Sequence, residues 1–206
     1  MVCLSGSSDG SVAISNLIDG VLLRVVHEHR GIYPICSIDS RKSPEKNVYF
    51  WLITSHEQRV SLWKSNQQFT LSSVIDWLPF SPSDAISKHW QSSPPSLARF
   101  LDANFILYTG YGTEKCLQIY DINLKEIVRT IRLNHWCSSL DISQMNRLIA
   151  MGTNERLVQL KDYTQETFQD FLGHADRISH VKFNSTNDLL ITISANEIFL
   201  WKIGLN

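Results

Sequence analysis

Two histidines one residue apart, His27 and His29, are the nearest approach in this chain to half of a metal site. A structural zinc takes four ligands, usually Cys or His in closely spaced pairs. The four cysteines stand at 3, 36, 116 and 137. None forms a C-x-x-C pair, and no nearby His or Cys supplies the missing half, so no metal is expected. His135 and Cys137 could be read as a base and a nucleophile, yet two residues apart on a strand they share one side without an acid to orient the His. Gly110-Tyr-Gly112-Thr-Glu-Lys115 has the glycines of a phosphate loop. It lacks the G-x-x-x-x-G-K-[S/T] order, and a strand rather than a helix follows it. No paired carboxylates stand at a spacing suited to acid/base work. No catalytic residue, cofactor or enzymatic activity is therefore assigned.

The 206 residues carry 19 Lys plus Arg against 20 Asp plus Glu, a net charge of −1. That balance exerts no general pull on nucleic acid or an anionic membrane, and protein partners are the expectation. The longest apolar runs, such as residues 48–53, are far short of the ~20 residues that span a bilayer. The start, Met1-Val2-Cys3-Leu4-Ser5, has neither the basic nor the long apolar stretch of a secretory signal. Scattered cysteines read as reduced and mostly buried, so the cytoplasm is the expected compartment.

The elements that carry these residues repeat. Near the C-terminus, Gly173-His174 is followed by the runs 178–183, 189–194 and 197–203, each rich in β-branched or aromatic residues. The last ends in Trp201-Lys202. Glycine-histidine, two strands, a tight turn and a strand closing on Trp plus a polar residue resembles a WD40 repeat. The closing pattern recurs at Val12-Ala-Ile-Ser15, Val60-Ser-Leu-Trp63, Leu117-Gln-Ile-Tyr120, Val158-Gln-Leu-Lys161 and Ile198-Phe-Leu-Trp201. The tryptophan positions are thus 15, 63, 120, 161 and 201, and the spacings are 48, 57, 41 and 40. The last two approach the ~40–45 residues of a four-stranded propeller blade.

Two further positions keep this register. An acid stands three residues before the aligned Val or Leu at Asp9, Glu57, Glu114 and Glu155; the last repeat has Ala195 there and Glu197 nearby. Such an acid can accept backbone N–H bonds and fix a hairpin. A histidine follows the tryptophan position by 13–15 residues at His29, His135 and His174. In WD40 repeats that His joins a buried network of Trp, Ser/Thr, His and Asp. The last repeat keeps His174, Trp201 and Thr192 or Ser194 but has no turn Asp, so its network is expected to be incomplete.

Strand assignment gives an all-β, WD40-like β-propeller of about four and a half four-stranded blades. The blades run approximately 1–30 (partial), 31–77, 97–134, 135–172 and 173–206 (partial), with eighteen strands. Residues 39–47 are read as a long polar loop. Residues 78–96, rich in Ser and Pro, are read as a surface insertion that offers Trp90 as a partner contact and Ser-Pro pairs for phosphorylation. The first blade lacks its first strand and the last its fourth. The expectation is therefore the C-terminal part of a longer propeller, open as it stands.

From residue 55 onward the resemblance is closer than a generic repeat. The order is Asp76-Trp77-Leu78, the Ser/Pro insertion, Pro94-Pro95-Ser96-Leu97-Ala98, Leu117-Gln-Ile-Tyr-Asp121, Leu148-Ile-Ala-Met-Gly152, Gln169-Asp-Phe-Leu-Gly-His174 and Asn196-Glu-Ile-Phe-Leu-Trp201. This resembles the extreme C-terminus of the centriolar WD-repeat-containing protein ninety (centriole-proteome protein sixteen) family, with the first blade as generic WD40. The resemblance implies a scaffold at the centriole or ciliary basal body. Its partners would be centriolar or ciliary proteins, with tubulin bound through the full-length protein. The family's N-terminal microtubule-binding domain has no counterpart in these residues. A generic WD40 adaptor, such as a ubiquitin-ligase substrate receptor or a trafficking subunit, is the alternative reading.

Overall fold

The computed structural model describes residues 2–27, 33–43, 47–56, 59–69, 72–79, 97–109, 115–165 and 168–204. Among them are eighteen strands in five sheets and no helix. Sheet one orders β1 (Val2–Gly6), β2 (Ser11–Asn16) and β3 (Leu22–His27). Sheet two orders β4 (Ile35–Lys42), β5 (Val48–Ser55), β6 (Val60–Asn66) and β7 (Ser72–Trp77). Sheet three holds β8 (Ala98–Phe100), β9 (Phe105–Thr109), β10 (Cys116–Asp121) and β11 (Glu126–Arg132). Sheet four holds β12 (Cys137–Ser143), β13 (Leu148–Thr153), β14 (Val158–Asp162) and β15 (Phe168–Phe171). Sheet five holds β16 (His180–Phe183), β17 (Leu189–Ile193) and β18 (Ile198–Lys202). Each sheet follows chain order, as short turns between antiparallel strands require. The architecture is that of a partial WD40 propeller.

Two compact units divide the chain: Met1–Glu114 with Gln118–Thr130, and Lys115–Leu117 with Ile131–Asn206. Within each, the core lies between neighbouring sheets. Leu52, Leu62, Phe100, Ile106, Tyr108 and Tyr120 fill the space between sheets two and three. Val12, Ile14, Trp51, Ile53 and Trp63 do so between sheets one and two, and Ala150, Val158, Ile178, Val181 and Leu190 between four and five. The middle strands of the four-stranded sheets are mostly covered on both faces, whereas β2 and β17 bury one face fully and the other in part. Every residue of β10 is buried, which is why its sequence reads as an apolar run around Gln118.

Two expectations are revised. Residues 39–42 are not a loop: β4 continues to Lys42, because its polar residues are satisfied by the next sheet. Asp39 Oδ2 accepts the Phe100 N–H at 2.8 Å, and Arg41 Nη1 donates to the Asp102 carbonyl at 3.1 Å with its guanidinium over the Phe100 ring at 4.8 Å. Leu78, read as the first residue of the surface insertion, is buried in the core, and its N–H bonds the Val60 carbonyl at 3.0 Å.

Candidate functional site

Sheet five shows how the repeat positions work together. Thr192 is fully buried on β17. Its Oγ1 lies 2.7 Å from His174 Nε2 and accepts the Trp201 Nε1–H at 2.8 Å. Trp Nε1 can only donate, so the Thr192 oxygen accepts from it; in the tautomer with the imidazole proton on Nδ1, the hydroxyl donates to His174 Nε2. Nδ1 faces Glu197 Oε2 at 3.3 Å, close enough for attraction without an aligned hydrogen bond. The same carboxylate accepts the Ala175 N–H at 2.8 Å and the Ser194 hydroxyl at 3.3 Å. The Ala175 bond is the chief cause that holds the Glu197 carboxyl below its ordinary value. The network expected to lack its acid therefore has one. Glu197 sits one residue before the aligned Ile198 rather than three, and its longer side chain covers the difference. The His174 ring stacks against Phe199, centroids 4.4 Å apart.

The other repeats keep parts of this device. In sheet four, His135 Nδ1 faces Glu155 Oε2 at 3.6 Å, the same pairing on a more exposed site. In sheet two, Trp63 Nε1 donates instead to Ser61 Oγ at 2.9 Å, and Trp51 Nε1 to Ser65 Oγ at 2.7 Å. In sheet three, Tyr120 replaces Trp and reaches back a sheet, its hydroxyl donating to Asp76 Oδ2 at 2.7 Å. Burial and that bond hold the phenol well above its usual range. Asp9 is a hairpin staple: Oδ1 accepts the Ser11 hydroxyl at 2.6 Å and its N–H at 2.9 Å, which lowers its pKa to about 2. His29, Glu57, Trp90 and Glu114 lie outside the described residues.

A second set of contacts was missed in the sequence. Ser37-Ile-Asp39 on β4 and Ser139-Leu-Asp141 on β12 occupy one register, each just after a bulge in its first strand. Ser139 Oγ accepts the Val181 N–H and Asp141 Oδ2 the Phe183 N–H, both at 2.8 Å. Asp141 Oδ1 takes Lys182 Nζ at 2.7 Å. In the first unit Ser37 Oγ takes Arg99 Nη1 and Asp39 takes the Phe100 N–H. These Ser-x-Asp clamps fasten one sheet's first strand to the next. The recurring S-[IL]-D at 37–39 and 139–141 was the available signal.

Glycine completes the junctions. A methyl on Gly152 would stand 2.5 Å from Ile178 Cγ2 and 2.7 Å from its Cβ; on Gly6 the same distances are met at Ile35. Only a residue without Cβ lets the sheets approach so closely.

Comparison with known proteins settles which propeller this is. A family model described as WDR90, 4th beta-propeller, matches residues 1–205. The chain belongs to the WDR90 family. WD repeat-containing protein 90 of Homo sapiens is 35% identical over 207 residues, covering 97% of this chain and 12% of that protein. The protein of the same name from Xenopus tropicalis is 34% identical over 208 residues, covering 98% and 11%; that from Mus musculus is 33% identical over 207, covering 97% and 11%. The chain thus spans about a tenth of the length of these relatives. The likeness to the WDR90 family takes in the first blade as well, which the sequence reading had treated as generic.

Among the described residues no three His, Cys, Asp or Glu side chains gather as a metal site. No disulfide joins the described cysteines. No described helix is long and apolar enough to cross a membrane. What the WDR90-type propeller presents is surface. It includes an apolar patch at the β2–β3 hairpin, where Ile18 is 84% exposed and Leu17, Val21 and Leu22 are more than half exposed.

Proposed function

We propose that this chain is a non-enzymatic protein-interaction scaffold in centriole or ciliary-base assembly. Membership of the WDR90 family is the observation that carries this reading. The structure adds a physical reason. Ser-x-Asp clamps, glycine contacts and the His174–Thr192–Trp201–Glu197 network fix neighbouring strands, so the turns between them present a preformed surface. A preformed surface binds protein without the entropic cost of ordering it. Its partners are centriolar or ciliary proteins, and tubulin is reached through the longer protein. The exposed apolar hairpin around Ile18 suits such contacts.

Tagging the endogenous protein in ciliating cells tests the placement. Concentration at centrioles or basal bodies, with cilia lost when residues 1–206 are deleted, is the expected result. Diffuse signal in cells that still build cilia through the protein refutes it.

A further inference from the structure

Where sheets one and two meet, a groove of about 460 Å³ opens among β3, β5, β6 and β7. Two cations reach it from different sheets. Arg24 of β3 pairs with Ile14, which is buried against sheet two, so the Arg24 side chain leaves sheet one on that side. Lys64 of β6 stands opposite Ser73 of β7, and both are exposed. Asn47 and Asn66 bring primary amides to the groove, and Ser73 a hydroxyl. Among the described residues that line it there is no carboxylate. A groove beside β1 includes Asp39 and one beside β15 includes Asp162, so this makeup is particular to the place.

The surroundings add positive charge and fix the walls. The Lys64 ammonium lies 5.9 Å from the centre of the Phe50 ring, and the Arg41 guanidinium lies 5.3 Å from the same centre. Arg24, Arg41 and Lys64 thus gather around one end of sheet two, in a chain whose net charge is −1. Charge of one sign concentrated in a cleft draws the opposite sign. Behind it, Trp51 Nε1–H donates to Ser65 Oγ at 2.7 Å, and the Ser65 hydroxyl donates to Ser72 Oγ at 2.7 Å. Ser65 is 2% exposed and its proton is committed, so it serves as wall. The Ser72 hydroxyl donates to the Phe69 carbonyl at 3.3 Å, a long contact that a charged oxygen outcompetes.

We propose that this groove binds a phosphorylated serine or threonine side chain carried by a protein partner. Arg24 takes two phosphoryl oxygens with its planar fork and Lys64 supplies a point charge; Asn47, Asn66 and Ser73 are the neutral donors. A phosphoryl group carries about −1.5 to −2 charge and three strong acceptor oxygens, which this set matches. A nucleic-acid backbone asks instead for a run of basic side chains along successive phosphates, and a membrane surface for clusters of about 4–8. Two cations in one groove suit a single phosphoryl group. The groove also falls within the range of about 300–1,000 Å³ usual for small-ligand sites. The proposal rests on reading the chain as a protein-interaction scaffold, and not on where in the cell it works.

The probe is a peptide library with phosphoserine or phosphothreonine fixed at its centre, immobilised beside the same library unphosphorylated. The 206-residue chain is expected to bind the phosphorylated library at least about tenfold better. Arg24→Gln and Lys64→Gln should each reduce that binding about tenfold, as the loss of one charged hydrogen bond implies. Lys64→Arg should keep most of it, and Arg177→Gln, which removes an exposed cation of the second unit, all of it. Unchanged thermal midpoints show that the variants are folded. In nitrogen-15 spectra, N-acetyl-phosphoserine amide should shift the side-chain amides of Asn47 and Asn66 saturably. Equal binding of the two libraries overturns the proposal, as does undiminished binding by the folded glutamine variants. If inorganic phosphate moves the Asn47 and Asn66 signals while neither library binds, the groove is a free-anion site and the protein partner is refuted. Retention on phosphatidylcholine vesicles carrying a phosphoinositide, without binding to the phosphorylated library, refutes it in favour of a membrane. Labelling of centriolar proteins by a chain that binds no phosphopeptide sinks this proposal alone and leaves the scaffold reading standing.

Discussion

Replacing Thr192 by valine removes one oxygen and leaves the shape of the side chain. Two donor–acceptor contacts go with it, to His174 Nε2 at 2.7 Å and from Trp201 Nε1 at 2.8 Å. The His174 side chain is 1% exposed, so water cannot replace the lost partner. A buried polar group left unsatisfied costs about 1–3 kcal/mol. Trp201 is only half buried and belongs at the lower end of that range, which makes the expected loss about 2–4 kcal/mol in all. For a chain of this size each kcal/mol moves the thermal midpoint by about 2–4 °C, so a fall of about 5–15 °C is expected. Thr192→Ser keeps the hydroxyl and should cost less than about 1.5 kcal/mol, mostly for the lost methyl. Urea titration followed by circular dichroism measures both, and a cycle with Trp201→Phe isolates the shared bond. If the valine variant is as stable as the serine variant, or if its effect simply adds to that of Trp201→Phe, the network reading is wrong.

Acid should weaken the fold before it reaches the core. The Glu197, Asp162 and Asp188 carboxyls are held below their ordinary values and Asp9 at about 2, chiefly by hydrogen bonds, so the unfolded chain binds more protons at low pH. Their contribution is complete above the ordinary carboxylate values and is lost as pH falls through and below them; urea midpoints between pH 6 and pH 2.5 should drop, and Glu197→Gln should flatten part of the slope. Gly152→Ala drives a methyl to 2.5 Å from Ile178 and should cost about 1–3 kcal/mol by calorimetry, with Gly6→Ala alike at Ile35. Asp141→Ala orphans the Phe183 N–H and should cost about 1–3 kcal/mol, whereas Lys182→Met, whose side chain is 70% exposed, should cost under about 1 kcal/mol in the same titration.

Blade periodicity was legible in the sequence because each third strand ends on one recurring pattern, and the strands it implied are the ones present. Where the reading failed, long-range partners decided the outcome. Asp39 and Arg41 look like loop residues until Phe100 and Asp102 arrive from sixty residues away to satisfy them. Glu197 was two positions off the repeat register, and only the fold shows that a glutamate reaches the His from there. Leu78 reads with its Ser- and Pro-rich neighbours, although its side chain is buried in the cluster that holds Ala98 and Phe100 of β8. Turns taken with positive φ by ordinary residues, such as Arg147 and Arg156, carry no local glycine signal at all.

The claim that this propeller serves as a protein scaffold at the centriole is tested most directly by proximity labelling. A biotin ligase joined to residues 1–206 within the endogenous protein, in ciliating cells, should enrich centriolar and basal-body proteins over a diffuse control. Enrichment instead of cullin-linked or vesicle-coat proteins, with centriolar proteins at background, would contradict it.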